Sequence, residues 1–185
     1  ASNGNGDLEP EDFELSFSGG RAKLKSTTPT SVTKNGTTFT LGLDVQGTGT
    51  GKEVLSVVPK ESSIYDNAGN VALSTQTTNT GKTKDLAGPI ILSITPKSDN
   101  TALIVEFDEE TFTEPNKRAI LDTSDITLSL EGGNAILTNP KPTSFTRDGA
   151  KYTLGLALNG KVNGFENVTV QVQFNAIYDT LGNVA

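Results

Sequence analysis

The chain has no cysteine, methionine, tryptophan or histidine. Without cysteine there is no disulfide framework, no thiolate metal site and no thiol nucleophile. Without histidine there is no imidazole base, no serine triad of the usual kind and no zinc site built on imidazole. A large share of enzyme chemistry is thereby excluded. Zero cysteine does not fix the compartment, although it suits a module in oxidising surroundings. No apolar run approaches the ~18 residues of a membrane span. There is also no basic-then-apolar signal peptide, and a first residue that is alanine reads as a processed product or a window cut from something longer. The net charge of -7 has the wrong sign for a phosphate backbone or an anionic membrane.

What is abundant is Gly, Thr, Ser and Asn, the composition of strands and turns. One stretch occurs twice. Ile64-Tyr65-Asp66-Asn67-Ala68-Gly69-Asn70-Val71-Ala72 returns at the far end as Ile177-Tyr178-Asp179-Thr180-Leu181-Gly182-Asn183-Val184-Ala185. The register runs without a gap from Asp12/Asp125 to Ala72/Ala185, with 27 identities in 61 pairs. Self-similarity at a fixed period marks a tandem array of one folding unit. It predicts two domains, 1–86 and 87–185, with Lys84–Pro89 as their junction.

Apolar alternation at period two predicts strands. It is carried by Phe13/Leu15/Phe17, by Phe39/Leu41/Leu43/Val45 and by Leu55/Val57 in the first half. In the second half it is carried by Leu103/Val105/Phe107, Ile126/Leu128/Leu130, Tyr152/Leu154/Leu156/Leu158 and Val168/Val170/Val172/Phe174. Ile90–Ile94 is too apolar for a surface loop, and a polar strand is expected to end near Thr80. Asn35-Gly36 predicts a type I′ hairpin turn, and Asp148-Gly149 occupies the equivalent place. No segment has a 3.6-residue pattern, so the class is all-β. Short alternating strands with a turn about every ten residues predict a sandwich or barrel. Roughly seven strands per unit favour two tandem immunoglobulin-like β-sandwich domains.

Pro89-Ile90-Ile91-Leu92-Ser93-Ile94-Thr95-Pro96, an alternating strand ending in acids, and Tyr178-Asp179-Thr180-Leu181-Gly182-Asn183 together resemble the bacterial Ig-like repeat domains of the S-layer and surface-protein type. The likeness covers nearly the whole chain. It implies a non-catalytic module of an extracellular or cell-surface protein: a spacer, stalk, fibre or lattice subunit whose partners are neighbouring repeats or copies of itself. Two other readings stay open. One is an adhesive or carbohydrate-binding module using the loops Gly47–Gly51 and Gly160–Gly164 on a glycan or cell-surface ligand. The other is a virion shell or decoration protein.

The two copies are complementary fragments of the period. The first lacks a counterpart of Gly88–Phe112, its opening two strands; the second stops before a counterpart of Leu73–Lys84, its closing strand. Either both ends lie inside a longer array, or the open sheet edges pair between molecules by strand exchange.

Two chemistries attach to the acids. Asp66 and Asp179 fit turns in which a carboxylate accepts backbone amides and glycine supplies positive φ. The alternative is Ca²⁺, which takes carboxylate and carbonyl oxygens. In a sandwich the last hairpin lies at the end where the chain enters, so Asp179 is expected beside Asp108, Glu109, Glu110 and the linker residue Asp85. A Ca²⁺ ion stiffening the interdomain joint is the corresponding expectation; no other cofactor is called for. A glycosidase pair among these acids lacks an aromatic platform, and Tyr65, Tyr152 and Tyr178 are too few to make one. Asn35-Gly36-Thr37 and Asn167-Val168-Thr169 match the glycosylation sequon, but the first suits a tight turn better.

Overall fold

The computed structural model describes residues 6–115 and 119–185. It is all-β apart from one 3-10 turn at Pro10–Asp12. The chain divides into two compact units, Ala1–Leu86 and Ala87–Ala185.

In the first unit β1 (Phe13–Ser18) pairs antiparallel with β6 (Val54–Pro59), which also takes β7 (Thr80–Lys82). Two further ribbons join β2 (Lys23–Leu24) to β5 (Val45–Gln46), and β3 (Val32–Asn35) to β4 (Thr38–Leu41). The second unit opens with β8 (Ile91–Pro96) and β9 (Ala102–Phe107), then follows the same plan with β10 (Ile126–Glu131), β11 (Ile136–Leu137), β12 (Phe145–Asp148), β13 (Lys151–Gly155), β14 (Leu158–Asn159) and β15 (Asn167–Val172). Here β9 lies between β13 and β8 in a four-stranded sheet.

The pairing registers of the two units agree residue for residue. Phe13 faces Pro59 as Ile126 faces Val172; Lys23 faces Gln46 as Ile136 faces Asn159; Val32 faces Leu41 as Phe145 faces Leu154. Each pair of partners is displaced by the same step that carries Asp66 onto Asp179. The likeness reaches further back than Asp12 and Asp125. Asp12 accepts the Glu9 amide at 2.8 Å, and Asp125 accepts the Asp122 amide at 2.8 Å.

The core of the second unit is shared by two sheets. Leu103, Val105 and Phe107 of β9 and Tyr152 and Leu154 of β13 meet Ile126 and Leu128 of β10 and Val170 of β15 in one buried cluster. These are the alternate positions that a pleated strand turns to one face. The first unit has no counterpart of β8 and β9 among its described residues, and its apolar residues are covered less. Leu15 is buried, but Phe39, Leu41, Val57 and Ile64 are only half-buried.

Four local expectations are corrected. The long alternations Phe39–Val45 and Tyr152–Leu158 are each two strands, not one: the chain leaves one ribbon at Gly42 or Gly155 and joins another, leaving Leu43 exposed. Glycine is needed at this step. A Cβ on Gly42 would lie 2.5 Å from Ser31 Oγ, and one on Gly155 would lie 2.5 Å from Thr143 Oγ1 and 2.9 Å from Ser144 N. The hairpin turns are not type I′. Asn35 pairs with Thr38, so Gly36 and Thr37 form the loop, and φ is positive at Gly36 alone; this is the type II′ pattern. Asp148, Gly149 and Lys151 repeat it. β15 ends at Val172 and Phe174 is 91 % exposed, outside the alternation. Finally, Ile90–Ile94 is a strand but an outer one, with Ile90, Leu92 and Ile94 exposed and a register shift between Ile91 and Ser93.

Candidate functional site

The repeated Asp-x-x-Gly-Asn stretch folds in both units into a turn fastened by its own carboxylate. Asp66 Oδ1 accepts the amides of Ala68 (2.9 Å) and Asn70 (2.8 Å), and its Oδ2 accepts Asn70 Nδ2 (2.8 Å). Asp179 accepts Leu181 (2.8 Å), Asn183 (2.8 Å) and Asn183 Nδ2 (2.7 Å) in the same order. Gly69 and Gly182 supply φ of 87° and 88°, which side chains with a Cβ avoid. The preceding tyrosines lock the approach: Tyr65 Oη donates to Ser62 O and Tyr178 Oη to Asn175 O. The Asn70 side-chain and backbone amides hold the Asp66 carboxyl below its usual range. The surroundings differ. Asp66 is exposed, whereas Asp179 is 1 % exposed, and Phe112 and Tyr178 exchange backbone hydrogen bonds of 2.8 Å beside it.

A second fastener escapes the sequence reading. Glu53, fully buried, accepts the amides of Arg21 and Ala22 at 2.8 and 2.9 Å through Oε1. Its Oε2 takes the Thr50 amide at 2.9 Å and the Thr83 hydroxyl at 2.6 Å. Burial pushes its pKa up, but the Thr83 hydroxyl and the Ala22 and Thr50 amides outweigh this and hold it well below the carboxylate range. Glu166 does the same work one repeat later. It accepts Asn134 and Ala135 at 2.9 and 3.2 Å, with Asn163 and Gly164 at its other face. Desolvation opposes its ionisation, yet the Ala135 and Asn134 amides hold its pKa at about 2. One signal could have found this pair. Over the aligned stretch three acids are identical in both copies, namely Asp12/Asp125, Glu53/Glu166 and Asp66/Asp179. All three caps bind backbone amides.

Of the residues expected to hold Ca²⁺, some have other partners and some come together. Asp85 belongs to the first unit, where it is half-buried and bridges Thr50. In the second unit Asp108 accepts the Ile90 amide at 2.9 Å, beside β8. Glu110 is exposed and faces Arg147 at 3.6 Å. Glu109 and Asp179 come together, each with a carboxylate oxygen within 4.8 Å of the other's. Asp108 and Glu110 flank Glu109 just beyond a strand, where successive side chains diverge.

No protein-family model, curated protein or solved structure matches the chain.

The remaining candidates are placed as follows. The loop ending at Gly164 borders an open hollow of about 390 Å³ lined by Asp99, Asn100, Leu156, Leu158 and Val162 among others. Both sequon asparagines are exposed: Asn35 ends β3 and Asn167 begins β15. The tyrosines do not form a stacking platform. Tyr152 is wholly buried, and Tyr65 and Tyr178 spend their hydroxyls on the turns. No helix is long and apolar enough to cross a membrane among the described residues.

Proposed function

We propose that the chain is a non-catalytic structural repeat module of an extracellular or cell-surface protein, built as two immunoglobulin-like β-sandwiches in tandem. Its task is mechanical: to space or extend. Its neighbours are further repeats or copies of itself.

The observation that carries this reading is the strand register shared by the two copies, together with the fate of the shared acids. What the two copies keep in common is spent on turn geometry: carboxylates bound to amides, glycines at positive φ, and apolar residues at alternate strand positions. The absence of histidine and cysteine and the charge of -7 support the same reading.

Stretching the full chain between two tethers tests it. Two separate unfolding events are expected, each releasing roughly 300 Å of chain, from ~3.3–3.6 Å per residue over a unit. Extension in a single step at negligible force would count against a load-bearing module, as would turnover of any substrate in a broad hydrolase screen.

A further inference from the structure

Three Asn-Gly steps lie among the described residues: Asn35-Gly36, Asn159-Gly160 and Asn163-Gly164. Such a step can close on itself. The glycine nitrogen attacks the carbonyl carbon of the asparagine side chain, and a residue without a Cβ leaves that approach unhindered. In sequence the three steps are equivalent. The fold separates them.

Asn163-Gly164 is tied down at both reacting groups. The Gly164 amide donates to Glu166 Oε2 at 2.9 Å, and the Asn163 amide to the same oxygen at 3.0 Å. Asn163 Oδ1 accepts the Phe165 amide at 3.1 Å. Asn159 is held in β14, opposite Ile136. Gly160 is pressed against the chain entering β11, where a Cβ would lie 2.9 Å from Asn134 O and 3.4 Å from Ala135 Cα.

Asn35-Gly36 has none of these restraints. Both residues are exposed, and a Cβ on Gly36 would meet nothing within 4 Å. No side-chain hydrogen bond holds the Asn35 carboxamide among the described residues. In an extended strand the following nitrogen is turned away from the side-chain carbon, so ring closure needs a rotation of the main chain. At Asn35 that rotation breaks only the last ladder pair before the turn, Asn35 with Thr38. Opening costs least at such an end.

We propose that Asn35 is a site of spontaneous deamidation, selected by the fold from the three Asn-Gly steps. The Gly36 nitrogen loses its proton to solvent and bonds to Asn35 Cγ. The Cγ–Nδ2 bond breaks, ammonia leaves, and a cyclic imide remains. Water then opens the imide at one carbonyl or the other, giving an aspartyl residue or an isoaspartyl residue whose chain runs through the side chain. The products act differently on the turn. The second copy carries Asp148-Gly149 at this place, with Asp148 opposite Lys151, so the aspartyl form is one that this turn already holds. The isoaspartyl form adds a carbon to the main chain and shifts the pairing with Thr38. Both place a new negative charge next to Lys34. The inference does not need the mechanical role proposed above.

Site-resolved peptide mapping of the full chain decides it. Folded protein is held at mildly alkaline pH in heavy-oxygen water and digested at intervals. The peptide holding Asn35 is expected to exchange NH for O, to take up the heavy oxygen, and to contain both aspartyl and isoaspartyl forms. It should react about tenfold or more faster than the peptides holding Asn159 and Asn163. In urea the three rates are expected to converge, because the restraints at Asn159 and Asn163 are then gone. Asn35→Gln, whose longer side chain closes a larger and slower ring, should stay unmodified at that position. Equal rates at the three sites of the folded chain would overturn the proposal, as would an Asn35 that reacts in urea but stays intact in the folded chain. So would rates in urea that keep the folded order, since sequence and not fold would then make the choice.

Discussion

Glu53 and Glu166 occupy the same place in the two copies, and each binds the two successive backbone amides that follow a Gly-Gly pair in its own unit. A carboxylate here replaces a stretch of ladder: it satisfies amides where the chain turns out of a strand and no neighbouring strand is available.

Replacing Glu53 by Gln separates charge from shape. The amide keeps one acceptor oxygen but points an N–H₂ at groups that are themselves donors. A loss of about 1–3 kcal/mol from the first unit at pH 7 is expected, the usual cost of stranding buried polar groups. The pH dependence has a definite sign. Glu53 has a folded pKa lowered from 4.5, so its stabilisation is present above about pH 4.5 and is lost as pH falls through the folded value. Thermal melts from pH 7 down to pH 2 should show the wild type losing stability below pH 4.5, with a flatter acid limb in Glu53→Gln. Parallel acid limbs would mean that the carboxylate is not the titrating group.

Gly20 and Glu53 should be energetically coupled. Gly20 has φ of 56°, and a Cβ placed there would lie 2.5 Å from Glu53 Cγ and strike the carboxyl group itself. Gly20→Ala is therefore expected to destabilise the first unit by more than its backbone strain alone. In the Glu53→Ala background the steric part vanishes, so the double-mutant cycle should return a coupling of about 0.5–3 kcal/mol. Additive costs would show that the close approach relaxes without loss.

Asp66→Ala and Asp179→Ala remove the same three hydrogen bonds but should not cost the same. Asp179 is buried, so the amides of Leu181 and Asn183 are stranded; about 1–3 kcal/mol is expected from the second unit. Asp66 is exposed, and water replaces the carboxylate on Ala68 and Asn70. A smaller loss follows. Urea melts of the two variants against wild type measure the difference, and equal losses would show that solvent reaches both turns alike.

Much of this arrangement was legible in the residues. Strand positions followed from period-two alternation because one side of each strand is buried; Leu103, Val105 and Phe107 are the clearest case. The Asp66 and Asp179 turns were legible because the motif carries all its own partners within five residues. The switch of ribbons at Gly42 and Gly155 was hidden: alternation continues through the step, and only the approach of Ser31 or Ser144 shows why glycine stands there. Glu53 was hidden for another reason. Its partners Arg21 and Ala22 lie more than thirty residues away in sequence, so no local pattern announces them. The divergence of Asp108, Glu109 and Glu110 was also out of reach, since it depends on which of them Arg147 and the Ile90 amide take up.

The calcium expectation is settled by a titration, with the hydrogen bonding of Asp179 giving the expected direction. Its Oδ1 already accepts two backbone amides and its Oδ2 the Asn183 side chain, all at 2.7–2.8 Å. A cation would have to displace donors that the turn needs, or take the remaining lone pair. Six to eight oxygen ligands is the usual demand of Ca²⁺. The turn is thus fastened without an ion. Millimolar Ca²⁺ and excess chelator are expected to give melting curves that coincide, and calorimetric titration to give only heat of dilution. A melting temperature that rises with Ca²⁺ in the wild type, and fails to rise in Glu109→Gln, would reverse this and return the carboxylates to the interdomain cation that the sequence suggested.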